Sequence, residues 1–241
     1  MSIAENLDTV RATLRDACVA AGRPVESVRL VAVSKIQPVD AIRAAIAAGQ
    51  VDFGENYAQE LRDKADLVTE PVRWHFIGAL QRNKVKYVVG RASLVHDVDS
   101  FALAEEIGKR SGANPTGILL GVNIGEEPQK SGVLPAEALD LCKRVTTLPG
   151  VVLRGLMCIP PAVETPEQAA PWFAALADLA ARGRAEGLPL DELSMGMSHD
   201  YAVAIRHGAT LVRVGTAIFG ARPKKVAPVG EEPSGTADRA R

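Results

Sequence analysis

The chain has 241 residues, 47% of them hydrophobic, and a formal net charge of −1 from 28 basic and 29 acidic residues. That is enough apolar material for one sizeable core but short for two full enzymatic domains, so a single domain is expected. The near balance of charge excludes a field that would draw in nucleic acid or an anionic membrane surface.

Three scattered cysteines, Cys18, Cys142 and Cys158, fit neither a disulfide framework nor paired metal ligands. The N-terminal stretch soon carries Asp8, Arg11, Arg15 and Asp16, which leaves no apolar core for a signal peptide, and no run approaches membrane-spanning length. A cytoplasmic protein is expected.

Ile3, Leu7, Val10, Leu14 and Cys18 recur at steps of three and four, predicting an amphipathic N-terminal helix that ends at Gly22 with Pro24 beyond. Short β-rich runs follow at 30–34, 51–53, 73–77, 94–98, 117–122, 151–157, 190–195 and 210–214. Helical patterns lie between them at 39–48, 57–67, 101–110, 136–147, 167–186 and 201–206. Eight βα units over this length predict an α/β fold, a single closed (β/α)₈ TIM barrel with an extra N-terminal helix. A doubly wound open sheet is the other architecture the pattern permits. From Pro223 onward the sequence has no periodicity and little to bury, so 223–241 reads as a disordered tail after a barrel spanning 1–222.

A barrel of this kind works at the C-terminal ends of its strands, often holding phosphate after strands seven and eight. Lys35 follows the apolar run Leu30-Val31-Ala32-Val33-Ser34, where a strand delivers a primary amine into a partly buried place. Burial or a cationic neighbour destabilises the ammonium, and an uncharged amine attacks a carbonyl to form a Schiff base. The other reading is a lysine that snorkels into water or pairs with a carboxylate.

After the seventh run comes Ser194-Met195-Gly196-Met197-Ser198, and after the eighth Arg213-Val214-Gly215-Thr216. Gly196 and Gly215 permit close turns, while Ser198 and Thr216 offer hydroxyls beside the amides of helix starts, together a phosphate cup. Taken singly, Ser198 is equally a helix N-cap and Gly215 an ordinary turn. Phe53-Gly54-Glu55-Asn56-Tyr57 is expected to put the polar pair Glu55 and Asn56 on one face, with Asn56 also suited to cap the next helix.

His75 either lines the site or is a hydrogen-bonded core histidine, and Cys158 is expected to be a small buried packing residue. The four histidines have no i, i+4 pairing with an acidic partner, so no metal is expected.

Six ordered segments carry a family resemblance: Val33-Ser34-Lys35, Phe53-Gly54-Glu55-Asn56-Tyr57, His75-Phe76-Ile77-Gly78-Ala79-Leu80-Gln81-Arg82-Asn83-Lys84, Arg154-Gly155-Leu156-Met157, Leu193-Ser194-Met195-Gly196-Met197-Ser198-His199-Asp200 and Arg213-Val214-Gly215-Thr216-Ala217-Ile218-Phe219-Gly220. Together they resemble the pyridoxal phosphate homeostasis proteins from about Leu30 to Arg222.

The resemblance implies the barrel of the alanine racemase N-terminal type, with pyridoxal 5′-phosphate carried as an aldimine on Lys35. By motif position it also implies cofactor contacts at Ser198, Gly215 and Thr216 for the phosphate, Arg213 facing the pyridine nitrogen, and Asn56 near the ring, with His75 as a further contact. Ile36 stands where a threonine is common in the family, and the tail after Arg222 has no family counterpart.

A cation beside the pyridine nitrogen disfavours its protonation and weakens the ring as an electron sink. Racemases of similar barrel type add a β-rich domain carrying a catalytic tyrosine. Here Tyr57, Tyr87 and Tyr201 all fall inside barrel segments, which leaves an open cofactor face. The expected function is therefore a monomeric pyridoxal phosphate binding protein, without turnover of its own, that delivers the cofactor to apo-enzymes and keeps intracellular vitamin B6 and amino-acid pools in balance. A pyridoxal phosphate dependent racemase or lyase is the enzymatic alternative, and a Schiff-base aldolase the third. Lys130, in the polar loop 125–132, is either a second acceptor for the aldehyde or a solvated loop lysine.

Overall fold

The computed structural model describes residues 1–220, so the tail expected from Pro223 onward lies outside the described residues. Helix α1 (Ile3–Ala20) starts at a capping box in which Ser2 accepts from the Glu5 amide and the Glu5 carboxylate accepts from the Ser2 amide. Its buried residues Leu7, Val10 and Leu14 dock it against the last two helices, each burial worth roughly 1.5–3 kcal/mol.

The alternation then runs β1 (Arg29–Val33), α2 (Val39–Ala47), β2 (Asp52–Glu55), α3 (Ala58–Leu67), β3 (Arg73–Phe76), α4 (Val85–Val88), β4 (Ala92–Val98) and α5 (Phe101–Ser111). It continues as β5 (Thr116–Gly121), α6 (Pro135–Val145), β6 (Val151–Met157), α7 (Ala170–Ala185), β7 (Glu192–Met197), α8 (Tyr201–Arg206), β8 (Leu211–Val214) and α9 (Thr216–Phe219). All eight predicted strands form and pair in parallel in sequence order, with β8 returning to β1, so the sheet is the closed barrel and not the open one. Helix α4 had no sequence signal because four residues are too few to establish a helical period.

Two apolar cores result. The larger fills the layer between sheet and helices and includes Leu7, Phe53, Leu61, Ile107 and Phe173. The smaller lies inside the barrel and consists of Val31, Leu94, Leu119, Met157 and Leu211. His96 and Arg213 stand two residues after Leu94 and Leu211 on the same strands, hence on the same inward face, and both are buried. The barrel interior is therefore partly polar, which matters for the site.

Two motif glycines are explained by close backbone approach. A Cβ on Gly155 of β6 would sit 1.7 Å from the Glu192 carbonyl oxygen of β7, its register partner. A Cβ on Gly78 would sit 2.4 Å from the Asn56 carbonyl oxygen, so this glycine lets the backbone after β3 pack on the segment that carries Asn56.

Candidate functional site

A cavity of about 280 Å³ lies at the C-terminal end of the barrel strands. It is lined by Lys35 and Gln37 after β1, Asn56 after β2, Ile159 after β6, Ser198 and His199 after β7, and Arg213, Gly215 and Thr216 from β8 and α9. Six of the seven residues singled out in the sequence meet here: Lys35, Asn56, Ser198, Arg213, Gly215 and Thr216. His75 is placed elsewhere.

The half-buried Lys35 sits in a clamped segment. The preceding Ser34 donates its hydroxyl to Glu55 Oε1 at 2.6 Å, and its carbonyl accepts from Lys64 Nζ at 2.6 Å. The following Ile36 donates its amide to Glu60 Oε1 at 2.6 Å. Lys64 reaches both carboxylates, Glu55 at 2.8 Å and Glu60 at 2.6 Å. Ile36 has φ 65°, a left-handed conformation that costs a β-branched residue roughly 1–3 kcal/mol, and the Glu60 contact helps to hold it there. Lys64, Glu55 and Glu60 thus fix the backbone on both sides of the amine.

Glu55 and Asn56 do not share a face. Adjacent residues of an extended strand point to opposite sides, so Glu55 turns into the Lys64 cluster while Asn56 lines the cavity. Nor does Asn56 cap α3, whose N-cap is Tyr57. The Asn56 Oδ1 atom is buried and has no hydrogen-bond partner among the described residues.

Glu55 is fully buried, and that burial pushes its carboxyl up to about 7 against the opposing pull of Lys64 and Ser34. Its ordinary value is 4.5, so between 4.5 and about 7 the folded protein binds more protons than the unfolded chain and stability falls as pH rises. Glu55→Gln removes that slope. Urea unfolding at about pH 5 and about pH 8 should show the variant gaining on the wild type by an amount on the order of 3 kcal/mol at most.

A hydrogen bond joins the loops after β7 and β8: the Gly215 amide donates to Ser198 Oγ at 3.2 Å. Ser198 therefore does not cap α8; the residue before that helix is Asp200, whose carboxylate accepts from the Met197 amide at 2.7 Å. Arg213 is almost fully buried. Its Nη1 donates to Ser194 Oγ at 2.5 Å and its Nη2 to the Cys158 carbonyl at 2.9 Å. Burial lowers its pKa, yet a guanidinium remains protonated throughout the physiological range. Cys158 is a buried thiol that burial pushes up to about 12, so it packs and lends its carbonyl to Arg213.

The likeness to known proteins follows the same outline. The model of the alanine racemase N-terminal domain matches residues 3–223. The pyridoxal phosphate homeostasis protein of Pseudomonas aeruginosa is 46% identical over 224 residues, covering 92% of this chain and 96% of that protein. This chain belongs to the pyridoxal phosphate homeostasis protein family. The solved structure of PipY from Synechococcus elongatus with PLP bound superposes with a TM-score of 0.80 at 38% identity, covering 91% of this chain and all of that one. Alanine racemase from Corynebacterium glutamicum shares the fold at a TM-score of 0.65 and 18% identity, and the likeness covers 63% of its chain.

Lys130 lies outside the Lys35 cavity, beside a second one of about 280 Å³ that also touches Asp97, Asn123 and Ile159. It is half-buried, ion-paired with Glu127, and donates to the Pro160 carbonyl at 2.9 Å. Ile159 borders both cavities. In this member of the pyridoxal phosphate homeostasis family, sequence reasoning missed Gln37 and His199 as lining residues and the whole Lys64 cluster. The Glu60–Lys64 spacing looks like an ordinary i, i+4 surface pair, and nothing in the sequence marks it as buried.

Proposed function

We propose that this chain binds pyridoxal 5′-phosphate in the Lys35 cavity, holds it covalently through the Lys35 amine and passes it on as part of vitamin B6 and amino-acid homeostasis. The convergence of Lys35, Arg213 and the Ser198 and Thr216 hydroxyls on one cavity carries this reading. The donor set suits each part of the molecule. The amine meets an aldehyde, the hydroxyls and the Gly215 turn meet a phosphate, and the guanidinium meets the ring nitrogen. Asn56 brings an unsatisfied buried amide oxygen, a polar group left over for a ligand.

When bound, the cofactor supplies an electrophilic aldehyde and a ring that withdraws electrons. Arg213 restrains the second of these, because its positive charge disfavours a proton on the ring nitrogen. No carboxylate stands among the described residues that line the cavity, so the chain has none there to protonate that nitrogen. This favours holding over turnover. Ser198, Thr216 and Gly215 orient the phosphate, and the Lys64 cluster keeps Lys35 where it can receive and release the aldehyde.

The names of the relatives point the same way. We further propose that the protein acts as a cytoplasmic monomer that supplies apo-enzymes. Its three cysteines are free and buried, as suits a reducing compartment. No helix among the described residues is long and apolar enough to cross a membrane.

A visible spectrum of the purified protein with added cofactor, before and after borohydride, tests the proposal. The expected result is a visible band that borohydride abolishes, leaving an adduct that maps to the peptide carrying Lys35. Label on the Lys130 peptide as well would make that residue a second acceptor. A colourless protein unaffected by added cofactor sinks the reading, and rapid exchange of an amino acid's α-proton in heavy water would replace it with an enzymatic one.

A further inference from the structure

A continuous line of hydrogen bonds crosses the barrel interior from the cavity to its opposite mouth. Arg213 Nη1 meets Ser194 Oγ at 2.5 Å, and Ser194 Oγ meets His96 Nδ1 at 2.8 Å. His96 Nε2 meets His75 Nδ1 at 2.9 Å, and His75 Nε2 meets Asp52 Oδ1 at 2.9 Å. Asp52 is in turn held by Arg73 through Nε and Nη2, both at 2.7 Å. Every member from Arg213 to Asp52 is 5% exposed or less, whereas the Arg73 side chain is half exposed. Asp52 and Arg73 open β2 and β3, at the end of the barrel away from the cofactor cavity.

The two ends fix the direction of the whole line. A guanidinium only donates, so Ser194 Oγ accepts from Arg213. The serine hydroxyl is fully buried, and its proton has His96 Nδ1 as its acceptor. A neutral His96 then carries its proton on Nε2 and donates it to His75 Nδ1. That leaves the His75 proton on Nε2, where it donates to Asp52. His96 is kept neutral above all by burial, with the nearby Arg213 charge acting in the same direction. Burial opposes ionisation of Asp52, but the hydrogen bonds from Arg73 and His75 outweigh it and hold the carboxyl below its usual range. A donor at one end and an ionised acceptor at the other leave a single consistent arrangement of protons.

We propose that Asp52 is a positioning residue for the cofactor cavity, fixing the tautomers of His75 and His96 and through Ser194 holding the Arg213 guanidinium in place. Arg213 has no carboxylate within ion-pair distance among the described residues, so its orientation depends on Ser194 and the Cys158 carbonyl. An arginine ordered before the ligand arrives loses less freedom when it binds, which strengthens the cavity without adding a contact. The ligand named rests on the pyridoxal phosphate reading; the proton arrangement belongs to the protein alone.

Two measurements test it. In the full chain without cofactor, imidazole nitrogen NMR at about pH 7 should show His75 and His96 as neutral rings protonated on Nε2. In Asp52→Asn, the His96 signals should change although residue 52 does not touch that ring. Either wild-type ring protonated on Nδ1, or a His96 spectrum indifferent to Asp52→Asn, overturns the relay.

With cofactor, Asp52→Asn should still give the Lys35 adduct while unlinked pyridoxal phosphate dissociates about tenfold faster, the loss of roughly one charge-assisted hydrogen bond's worth of order. An unchanged dissociation rate overturns the positioning role. A wild-type protein that forms no Lys35 adduct removes the cofactor reading instead, and the NMR result then decides the relay.

Discussion

Lys35→Ala is expected to lose the borohydride-trapped adduct completely while keeping the wild-type fold. Lys35 stands beyond the end of β1, is half-buried and belongs to neither apolar core. Truncating it opens no void in either apolar core, so the fold should survive. The other lining residues remain, among them Ser198, Gly215 and Thr216, proposed for the phosphate, and Arg213, proposed for the ring nitrogen. The variant should therefore still take up pyridoxal phosphate, but reversibly, so that gel filtration strips it. Mass spectrometry after borohydride reads the adduct directly, and thermal unfolding shows whether the fold survived. An adduct of wild-type yield in Lys35→Ala would move the attachment point to another lysine, with Lys130 the first to examine.

The barrel was legible because its signals are local and repeated. Eight β-rich runs separated by helical periods leave few other ways to bury both faces of a parallel sheet. The cavity was legible for a related reason, since barrel topology alone brings the ends of β1, β2, β7 and β8 to one rim, and Lys35, Asn56, Ser198, Arg213 and Gly215 stand at those ends. What stayed hidden depends on contacts between elements. His75 admits two readings from one strand, and only the barrel interior, with His96 on one side and Asp52 on the other, decides for the core. Ser198 looks like a helix cap until its oxygen is seen taking the Gly215 amide. Lys64 lies 29 positions from Lys35 on a helix rich in charge, and no pattern along the chain connects the two.

That hidden lysine is where a single substitution away from the cavity should do most damage. Lys64→Met removes the ammonium that is 2.6 Å from the Ser34 carbonyl, 2.8 Å from Glu55 and 2.6 Å from Glu60, all in a site where Lys64 itself is 7% exposed. Methionine fits the space along the stem but leaves the Ser34 carbonyl with the Gln37 amide as its remaining donor and two carboxylates facing each other without a cation. Breaking a buried ion pair from one side costs about 3–5 kcal/mol. For a chain of this size that corresponds to a melting temperature lower by roughly 10 °C.

Glu55 can limit the loss by keeping its proton, which its burial already favours, so the deficit should be smaller at about pH 5 than at about pH 8. The effect should also reach the cavity. With one of the two donors to the Ser34 carbonyl gone and Glu60 freed to leave the Ile36 amide, the left-handed turn at Ile36 keeps only the Gln37 amide bond to Ser34 and Lys35 is held less firmly. Slower formation of the Lys35 adduct in Lys64→Met, with the final yield at Lys35 preserved, is the signature of a clamp. A variant that is destabilised but forms the adduct at the wild-type rate would reduce the cluster to a structural ion pair.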